Sequence, residues 1–475
     1  MQLQREDIES IVSEVLKKLS VAAPAGAAEK AEAKGDWGVF ERLEDAVTAA
    51  SAAYRRLDTV ALRERVVDVI RRAARANARR LAEMAVEETG MGRIEDKVRK
   101  NLLVADRTPG PESLYPSAMS GDTGLTLIEN APWGVIASVT PSTNPGATVI
   151  NNSISMVSGG NAVVFAPHPN AKRVTQETIR ILNKAISEET GIHNLMTCVR
   201  QPSIETAQQL FTFPGIHLLV VTGGEAVVEA ARKTTNKRLI AAGAGNPPVV
   251  VDETADLPRA ARSIYDGASF DNNIVCADEK EIIAVDAVAN DLKRELLGCG
   301  AVEISREQAE AVAKAALLGY PGADPRPNPK WVGRDAAELA KAGGFSVPDA
   351  CRLLIVDAGR DVDYVFALIE QMMPLIPVLR ARDFDEALEW AIRLERDRKH
   401  TASLHSRDID HMDAMARRVN TSLFVKNGPC IAGLGAGGEG WTSMTISTPT
   451  GEGVTNARTF VRLRRCTLVG SFRIV

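Results

Sequence analysis

Apolar positions recur along this chain with two different periods, and the change of period divides it. Near the start, Leu3, Ile8, Ile11, Val12, Val15, Leu16 and Leu19 fall on one helical face, while Arg5, Glu6, Glu9, Glu14 and Lys18 occupy the rest of its surface. Residues 21–36 lose all periodicity in a run of Ala, Pro, Gly, Glu and Lys, which reads as a flexible linker. Helical spacing returns over 41–57 and 61–89, breaks at Gly90-Met91-Gly92, and resumes through Asp106. Residues 119–132 read as a hairpin-like excursion turning at Gly121-Asp122-Thr123-Gly124.

From residue 134 the pattern becomes short apolar strands alternating with helices. Strands are predicted at 135–139, 162–166, 196–199, 217–221 and 238–242, and helices at 147–157, 171–186, 204–211 and 225–232. Such alternation predicts a parallel, doubly wound sheet with ligand-binding loops at the C-terminal ends of its strands. Around Gly245-Asn246-Pro247-Pro248 the chain enters a second α/β region, 249 to about 434, which repeats the alternation. Residues 459–475 mix apolar and basic side chains and read as a strand, pairing with 119–132 or with another subunit.

Composition narrows the function classes. The 475 residues suggest about three domain-sized units. Lys+Arg 57 against Asp+Glu 61 gives a net charge of −4 with no strongly basic stretch, which argues against nucleic acid as the main partner. No apolar run approaches the ~20 residues of a membrane helix. The first segment has no uninterrupted apolar core, so it is no secretory signal, and Glu6, Asp7, Glu9 and Glu14 disfavour a mitochondrial presequence. An amphipathic helix on a tether is suited to docking on another protein, or to packing back on its own domain or a dimer mate. Cys198, Cys276, Cys299, Cys351, Cys430 and Cys466 form no CxxC pair, and the six histidines form no HExxH cluster. That suits a reducing compartment and offers neither a disulfide framework nor a metal site.

Cys276 is the best candidate for chemistry. It sits between Asp271-Asn272-Asn273 and Asp278-Glu279-Lys280, just before a strand-like run at 281–285. A thiol at such a junction can meet substrate and be held by backbone amides, though a free cysteine also serves as a small buried hydrophobe. Asn144, in Thr140-Pro141-Ser142-Thr143-Asn144-Pro145, lies just past a strand end and could donate to a developing oxyanion, or simply fill a turn. Thr222-Gly223-Gly224 lies between a strand and a helix N-terminus, where a pyrophosphate can be approached, and equally reads as a plain turn. His168, between two prolines at the next strand end, could meet a cofactor ribose or occupy a loop. A formal G-x-G-x-x-G at Gly433, Gly435 and Gly438 is rejected as a nucleotide fingerprint, because Trp441 to Ser447 alternates like a strand where a helix is required. A Gly-rich loop closing over a site is expected there instead.

These residues align with a family. The chain resembles the aldehyde dehydrogenase superfamily, and within it the CoA-acylating enzymes of bacterial microcompartments, those of ethanolamine utilisation ahead of those of propanediol utilisation. The stretches that carry the resemblance include Glu88-Thr89-Gly90-Met91-Gly92, Ala131-Pro132-Trp133-Gly134-Val135, the Asn144 and Cys276 segments, and Gly437-Gly438-Glu439-Gly440-Trp441. It implies an α/β aldehyde dehydrogenase fold. A Rossmann-like cofactor domain would span 37–118 and 133–246, and an α/β catalytic domain 247–434. A β oligomerisation arm would use 119–132 and 456–475, with 435–455 returning to the cofactor domain, residues 1–20 as an encapsulation helix and 21–36 as its linker.

The resemblance also implies roles. Cys276 matches the nucleophile and Asn144 the oxyanion amide, joined by the Cys276 backbone N–H. Thr140, Pro141, Ser142, His168, Thr222, Gly223, Gly224 and Gly243 fall along the cofactor site. Glu370, in Glu370-Gln371-Met372-Met373-Pro374, matches the E-x-x-G-P glutamate of the nicotinamide ribose, with Met373 in place of the glycine. Pro167-His168-Pro169 stands where hydrolytic members carry lysine before proline, which changes the ribose contact. Hydrolytic members read E-L-G-G-K where this chain reads Ala241-Ala242-Gly243-Ala244-Gly245, so the glutamate that activates water is Ala241 here. The implied reaction takes a short aldehyde, acetaldehyde or propionaldehyde, with NAD and coenzyme A to acyl-CoA and NADH. The implied enzyme is a homodimer or homotetramer in the bacterial cytoplasm within a microcompartment, meeting shell or core proteins through residues 1–20. A catalytically silent shell-organising protein and a CoA acyltransferase without nicotinamide are the competing readings.

Overall fold

The computed structural model describes residues 35–470. The helix expected over residues 1–20, most of the 21–36 linker and the last five residues lie outside the described residues. Two parallel sheets carry the fold. The first orders its six strands Val39–Phe40, Met196–Val199, Ala162–Ala166, Val135–Val139, Leu218–Thr222 and Arg238–Ala242. Val135–Val139, apolar but for Ser138, and the wholly apolar Ala162–Ala166 are buried along their whole length, as strands of a helix-covered parallel sheet should be. From Val135–Val139 the chain first builds outward on one side, then returns to the other side with Leu218–Thr222. That reversal opens a crevice at the strand C-termini, flanked by Thr140–Asn144 and by Gly223-Gly224.

Four of the five predicted strands coincide with the observed ones, and the fifth, predicted at 217–221, shifts by one residue to Leu218–Thr222. The helix predicted over 61–89 is two helices, Val60–Ala76 and Ala78–Thr89. The break falls at Asn77, whose side-chain amide donates to the Ala73 carbonyl at 2.9 Å and leaves the helical backbone at φ −112°, ψ 9°. Helix Ile94–Arg107 follows, and its inward face carries Asp96, Lys97, Lys100 and Asn101 beside Val104 and Ala105.

The second sheet has seven parallel strands, ordered Val302–Ile304, Leu354–Gly359, Leu375–Ala381, Glu281–Val285, Pro248–Val251, Thr401–His405 and Leu423–Lys426. Cys276 lies in the turn that feeds its central strand, Glu281–Val285. A third sheet pairs Ser117–Gly121, Gly124–Pro132 and Val461–Val469 antiparallel, with Val461 opposite Pro132 and Val469 opposite Gly124. Its final strand is exposed, Leu463 at 73% and Val469 at 77%. The strand-like alternation from Trp441 to Ser447 yields a strand only at Ile446–Ser447. Thr442, Ser443 and Thr445 are buried, and Ser443 and Thr445 hydrogen-bond to Asn151, Asn152 and Thr455. No described helix is long and apolar enough to cross a membrane.

Asn246 joins the linker between the sheets to the second sheet's helices. Its buried amide nitrogen donates to the carbonyls of Ala367 at 3.0 Å and Leu394 at 2.9 Å. Asn246→Ala leaves both unpaired and should lower stability by roughly 2 kcal/mol or more, read as a lower urea midpoint; an unchanged midpoint would contradict this account.

Candidate active site

Helix Leu257–Ala268 ends in a 3₁₀ turn, Phe270–Asn273, that delivers the chain to Cys276. Asp271, Asn272 and Asn273 all adopt left-handed backbone, at φ 47°, 57° and 64°. Asp and Asn tolerate that region best among residues with a Cβ, so the polar run seen in the sequence is a backbone requirement. Each side chain then locks the turn. Asn272 donates to the Gly333 carbonyl and to Asp335, both at 2.9 Å. Asn273 donates to the carbonyls of Ala268 and Glu279 at 2.9 and 2.8 Å. The buried Lys280 ammonium donates to the Asn273 side chain at 2.6 Å and to the carbonyls of Asn273 and Val275 at 2.8 and 3.2 Å. From Gly267 to Val285 every residue but Cys276 is buried.

Asp271 is the centre of a charged knot. Its carboxylate accepts from the Arg93 main-chain N–H at 2.7 Å, from Lys97 Nζ at 3.1 Å and from Lys100 Nζ. A Cβ at Gly92 would stand 2.0 Å from Asp271 Oδ1, so glycine there admits the carboxylate. Lys97 also donates to the Thr143 carbonyl at 3.1 Å, and Lys100 to Asn144 Oδ1. The loop of Asn144 and the turn of Cys276 are thereby joined through two buried lysines of helix Ile94–Arg107. Burial pulls the Lys97 ammonium down to about 8, against the attraction of Asp271. Sequence reasoning missed these lysines. Their signal was a stripe at helical spacing, 97, 100, 101, 104, whose apolar end is continued by polar residues.

Around the thiol the surroundings disfavour charge. Burial pushes the Cys276 thiol up to about 12, and the Glu370 carboxylate adds to the shift against the smaller opposing pull of Lys280. Burial also raises Glu370, partly offset by Lys280, Arg398 and the Gly245 N–H. Arg398 Nη1 stands 3.8 Å from Glu370, and its Nη2 stands 3.3 Å from Glu225. A Cβ at Gly245 would lie 2.4 Å from the Cys276 carbonyl oxygen and 3.0 Å from the His400 ring, so these two groups meet across a glycine. Burial drives His400 down to about 3, which keeps the imidazole neutral, and its Nε2 has no hydrogen-bond partner among the described residues. Nothing in the sequence around His400 marked it. Cys430 is fully buried with its thiol pushed far up by burial, so it does not compete with Cys276 for substrate. A cleft of about 540 Å³, lined by Arg99, Phe270, Arg352, Ile431 and Ala436 among others, shares Phe270, Ile431 and Ala436 with the apolar cluster around Cys276.

The cofactor-side residues fall into two groups. Thr140 is buried, its N–H bonded to the Ala166 carbonyl at 3.1 Å, and Pro141 and Ser142 line the crevice mouth half-buried. Thr222 Oγ1 meets Thr445 Oγ1 at 3.2 Å, and Gly223 donates to the Ala242 carbonyl at 3.2 Å. Gly224 opens helix Glu225–Thr234 with no atom within 4 Å of its Cβ position, which leaves that helix N-terminus open to an anion. Gly243 faces Pro449, 3.0 Å from its Cβ position. His168, two residues past the end of strand Ala162–Ala166, is exposed, with Nδ1 accepting from the Asn170 N–H at 3.1 Å. In the Glu370 loop the left-handed residue is Met372 at φ 51°, while Met373, at the motif's glycine position, is fully buried without positive φ. Ala241 is fully buried and its N–H is bonded to Thr450 Oγ1 at 3.0 Å. Among the described residues no cluster of His, Cys, Asp or Glu is arranged to hold a metal ion.

The family model for the aldehyde dehydrogenase family matches residues 12–299. The chain belongs to the aldehyde dehydrogenase family. It is 65% identical to an acetaldehyde dehydrogenase (acetylating) of Bilophila wadsworthia and 57% identical to acetaldehyde dehydrogenase (acetylating) EutE of Salmonella typhimurium, each over 100% of both chains. Among solved structures it is similar to a propionaldehyde dehydrogenase from the Clostridium phytofermentans fucose utilisation microcompartment. There the TM-score is 0.89 at 40% identity, covering 92% of this chain and 100% of that one. A Rhodopseudomonas palustris propionaldehyde dehydrogenase with bound CoA and an acylated cysteine gives a TM-score of 0.88 at 42% identity, covering 92% and 99%. The aldehyde dehydrogenase fold expected from the sequence is the fold observed.

With its pKa raised, the thiol stays protonated at neutral pH and the thiolate fraction grows as pH rises. Alkylation of Cys276 by iodoacetamide in the ligand-free protein, followed by peptide mass spectrometry, should accelerate about tenfold per pH unit between pH 7 and 9. A plateau within that range would contradict the assignment.

Proposed function

We propose that this chain is a CoA-acylating aldehyde dehydrogenase, converting a short aldehyde, NAD⁺ and CoA to acyl-CoA, NADH and a proton. The observation that carries the reading is Cys276, the one accessible residue of a buried, locked turn, joined through Asp271 and Lys100 to the amide of Asn144. The relatives support the same reading. Two are acetylating acetaldehyde dehydrogenases, and one solved relative holds CoA with an acylated cysteine.

The crevice fits a dinucleotide. Gly224 leaves space at an open helix N-terminus, and Glu370 offers a carboxylate that is 14% exposed. Thr222, Gly223 and Gly224 would hold the pyrophosphate and Glu370 the nicotinamide ribose, while NAD supplies the hydride acceptor. Cys276 Sγ adds to the aldehyde carbon, and the thiol proton passes to solvent as the C–S bond forms, the proton released in the overall reaction. The Asn144 amide and the Cys276 main-chain N–H stabilise the developing oxyanion. Loss of hydride leaves a thioester on Cys276. The thiol of CoA attacks it, and Cys276 leaves as a thiolate that takes the proton given up by CoA. Ala241 offers no group to direct water onto that thioester, whereas a thiol is more acidic and more nucleophilic than water and needs no such base.

The cleft beside Phe270, Ile431 and Ala436 is the proposed entry for acetaldehyde, with propionaldehyde as the neighbouring substrate. The exposed three-stranded sheet is the proposed oligomerisation arm. Residues 1–20 are proposed to address the enzyme to a microcompartment in the bacterial cytoplasm, a setting that the relative from a fucose utilisation microcompartment supports.

Acetaldehyde with NAD⁺ and CoA should give sustained NADH formation. Without CoA, a burst of about one NADH per Cys276 should be followed by near-arrest. Equal steady rates with and without CoA would refute the missing-base argument, and a Cys276→Ala protein that still turns over would refute the nucleophile.

A further inference from the structure

We infer that Lys100 is a positioning residue for the oxyanion site: it fixes which end of the Asn144 amide faces the reacting carbonyl. The inference rests on the acylating dehydrogenase reading above and adds a residue to it. An ammonium has three donors and no acceptor, so the amide atom it touches must be Oδ1. The Nδ2 end is thereby turned away from Lys100. The other side-chain partner of the amide, Thr143 Oγ1 at 3.2 Å, is a hydroxyl that can donate or accept and so cannot select an orientation. Among the described residues Lys100 alone imposes polarity on Asn144.

The lysine is itself held. Its side chain is 2% exposed, and the same Nζ donates to the Asp271 carboxylate in the nucleophile turn. One buried cation therefore spans two chain segments, residue 144 just past strand Val135–Val139 of the first sheet and residue 271 ahead of strand Glu281–Val285 of the second. A cation bonded to an amide oxygen also draws electron density from the nitrogen, which makes its N–H a better donor to an alkoxide. Lys97 supplies an internal control. It lies on the same helix and donates to the same carboxylate, but it reaches the Thr143 main-chain oxygen and not the Asn144 amide.

A buried ion pair that merely holds the fold is the rival explanation, and a double-mutant cycle separates the two. Lys100→Met, Asn144→Ala and the double variant of the full chain are assayed for NADH formation with acetaldehyde, NAD⁺ and CoA. Lys100→Met should lower kcat by about tenfold or more while the aldehyde KM moves less than about threefold. In the Asn144→Ala background the same substitution should cost less than about twofold, because the amide it orients is gone. Lys97→Met should have the same effect with Asn144 present or absent. Full, multiplicative loss from Lys100→Met in both backgrounds would overturn the proposal and leave Lys100 a structural residue. If Lys100→Met does not fold, Lys100→Arg, which only donates, should retain more kcat than Lys100→Gln, which can present either end of its own amide. Equal kcat would overturn the proposal. A Cys276→Ala protein that still forms NADH would sink the underlying reading instead, a separate outcome.

Discussion

The structure turns on one buried carboxylate. Asp271 sits in left-handed backbone, as do the two residues after it, an arrangement that costs on the order of 1 kcal/mol per residue for an L-amino acid. Two buried ammonium groups and a main-chain N–H converge on it and hold the turn in that shape. A buried carboxylate without partners would be far more costly than the strain, so the knot and the turn stabilise one another. Once the turn is fixed, Cys276 is presented as the single accessible point of an otherwise sealed segment.

What the thiol meets there explains the kind of chemistry the site supports. Burial and the carboxylate of Glu370 keep Cys276 protonated, and burial keeps His400 neutral. The charged groups that act on the sulfur, Glu370 and Lys280, pull in opposite directions, and burial decides the outcome. With alanine at position 241, a thioester formed there has no charged neighbour at that position to bring water onto it. Transfer to a second thiol is the outcome left open.

The backbone of this account was legible in the sequence, and the side-chain knot was not. Strands such as 135–139 and 162–166 announce themselves because both faces are apolar and the runs are short and bounded by turns. Helix 61–89 broke at Asn77 because one side chain competed for a backbone carbonyl, an effect hidden inside a continuous helical period. Trp441 to Ser447 alternated like a strand, but the main-chain N–H groups of Met444 and Thr445 go to the side chains of Asn151 and Ser443 instead of to a ladder. Cys276 and Asn144 could be named from their settings, a polar junction before a strand and a proline-flanked loop past one, and Glu370 only through the family resemblance. Lys97, Lys100 and His400 could not, because a polar or charged residue on a helix or before a strand usually faces water, and only the tertiary fold turns these inward.

The most direct test of the central claim is to see the acyl group on the sulfur. The protein is mixed with acetaldehyde and NAD⁺ without CoA, quenched in acid, and its peptides are read by mass spectrometry. The account predicts one acetyl group on Cys276, discharged as acetyl-CoA when CoA is added before the quench. An acetyl group on another residue, or free acetate released with Cys276 unmodified, would contradict it.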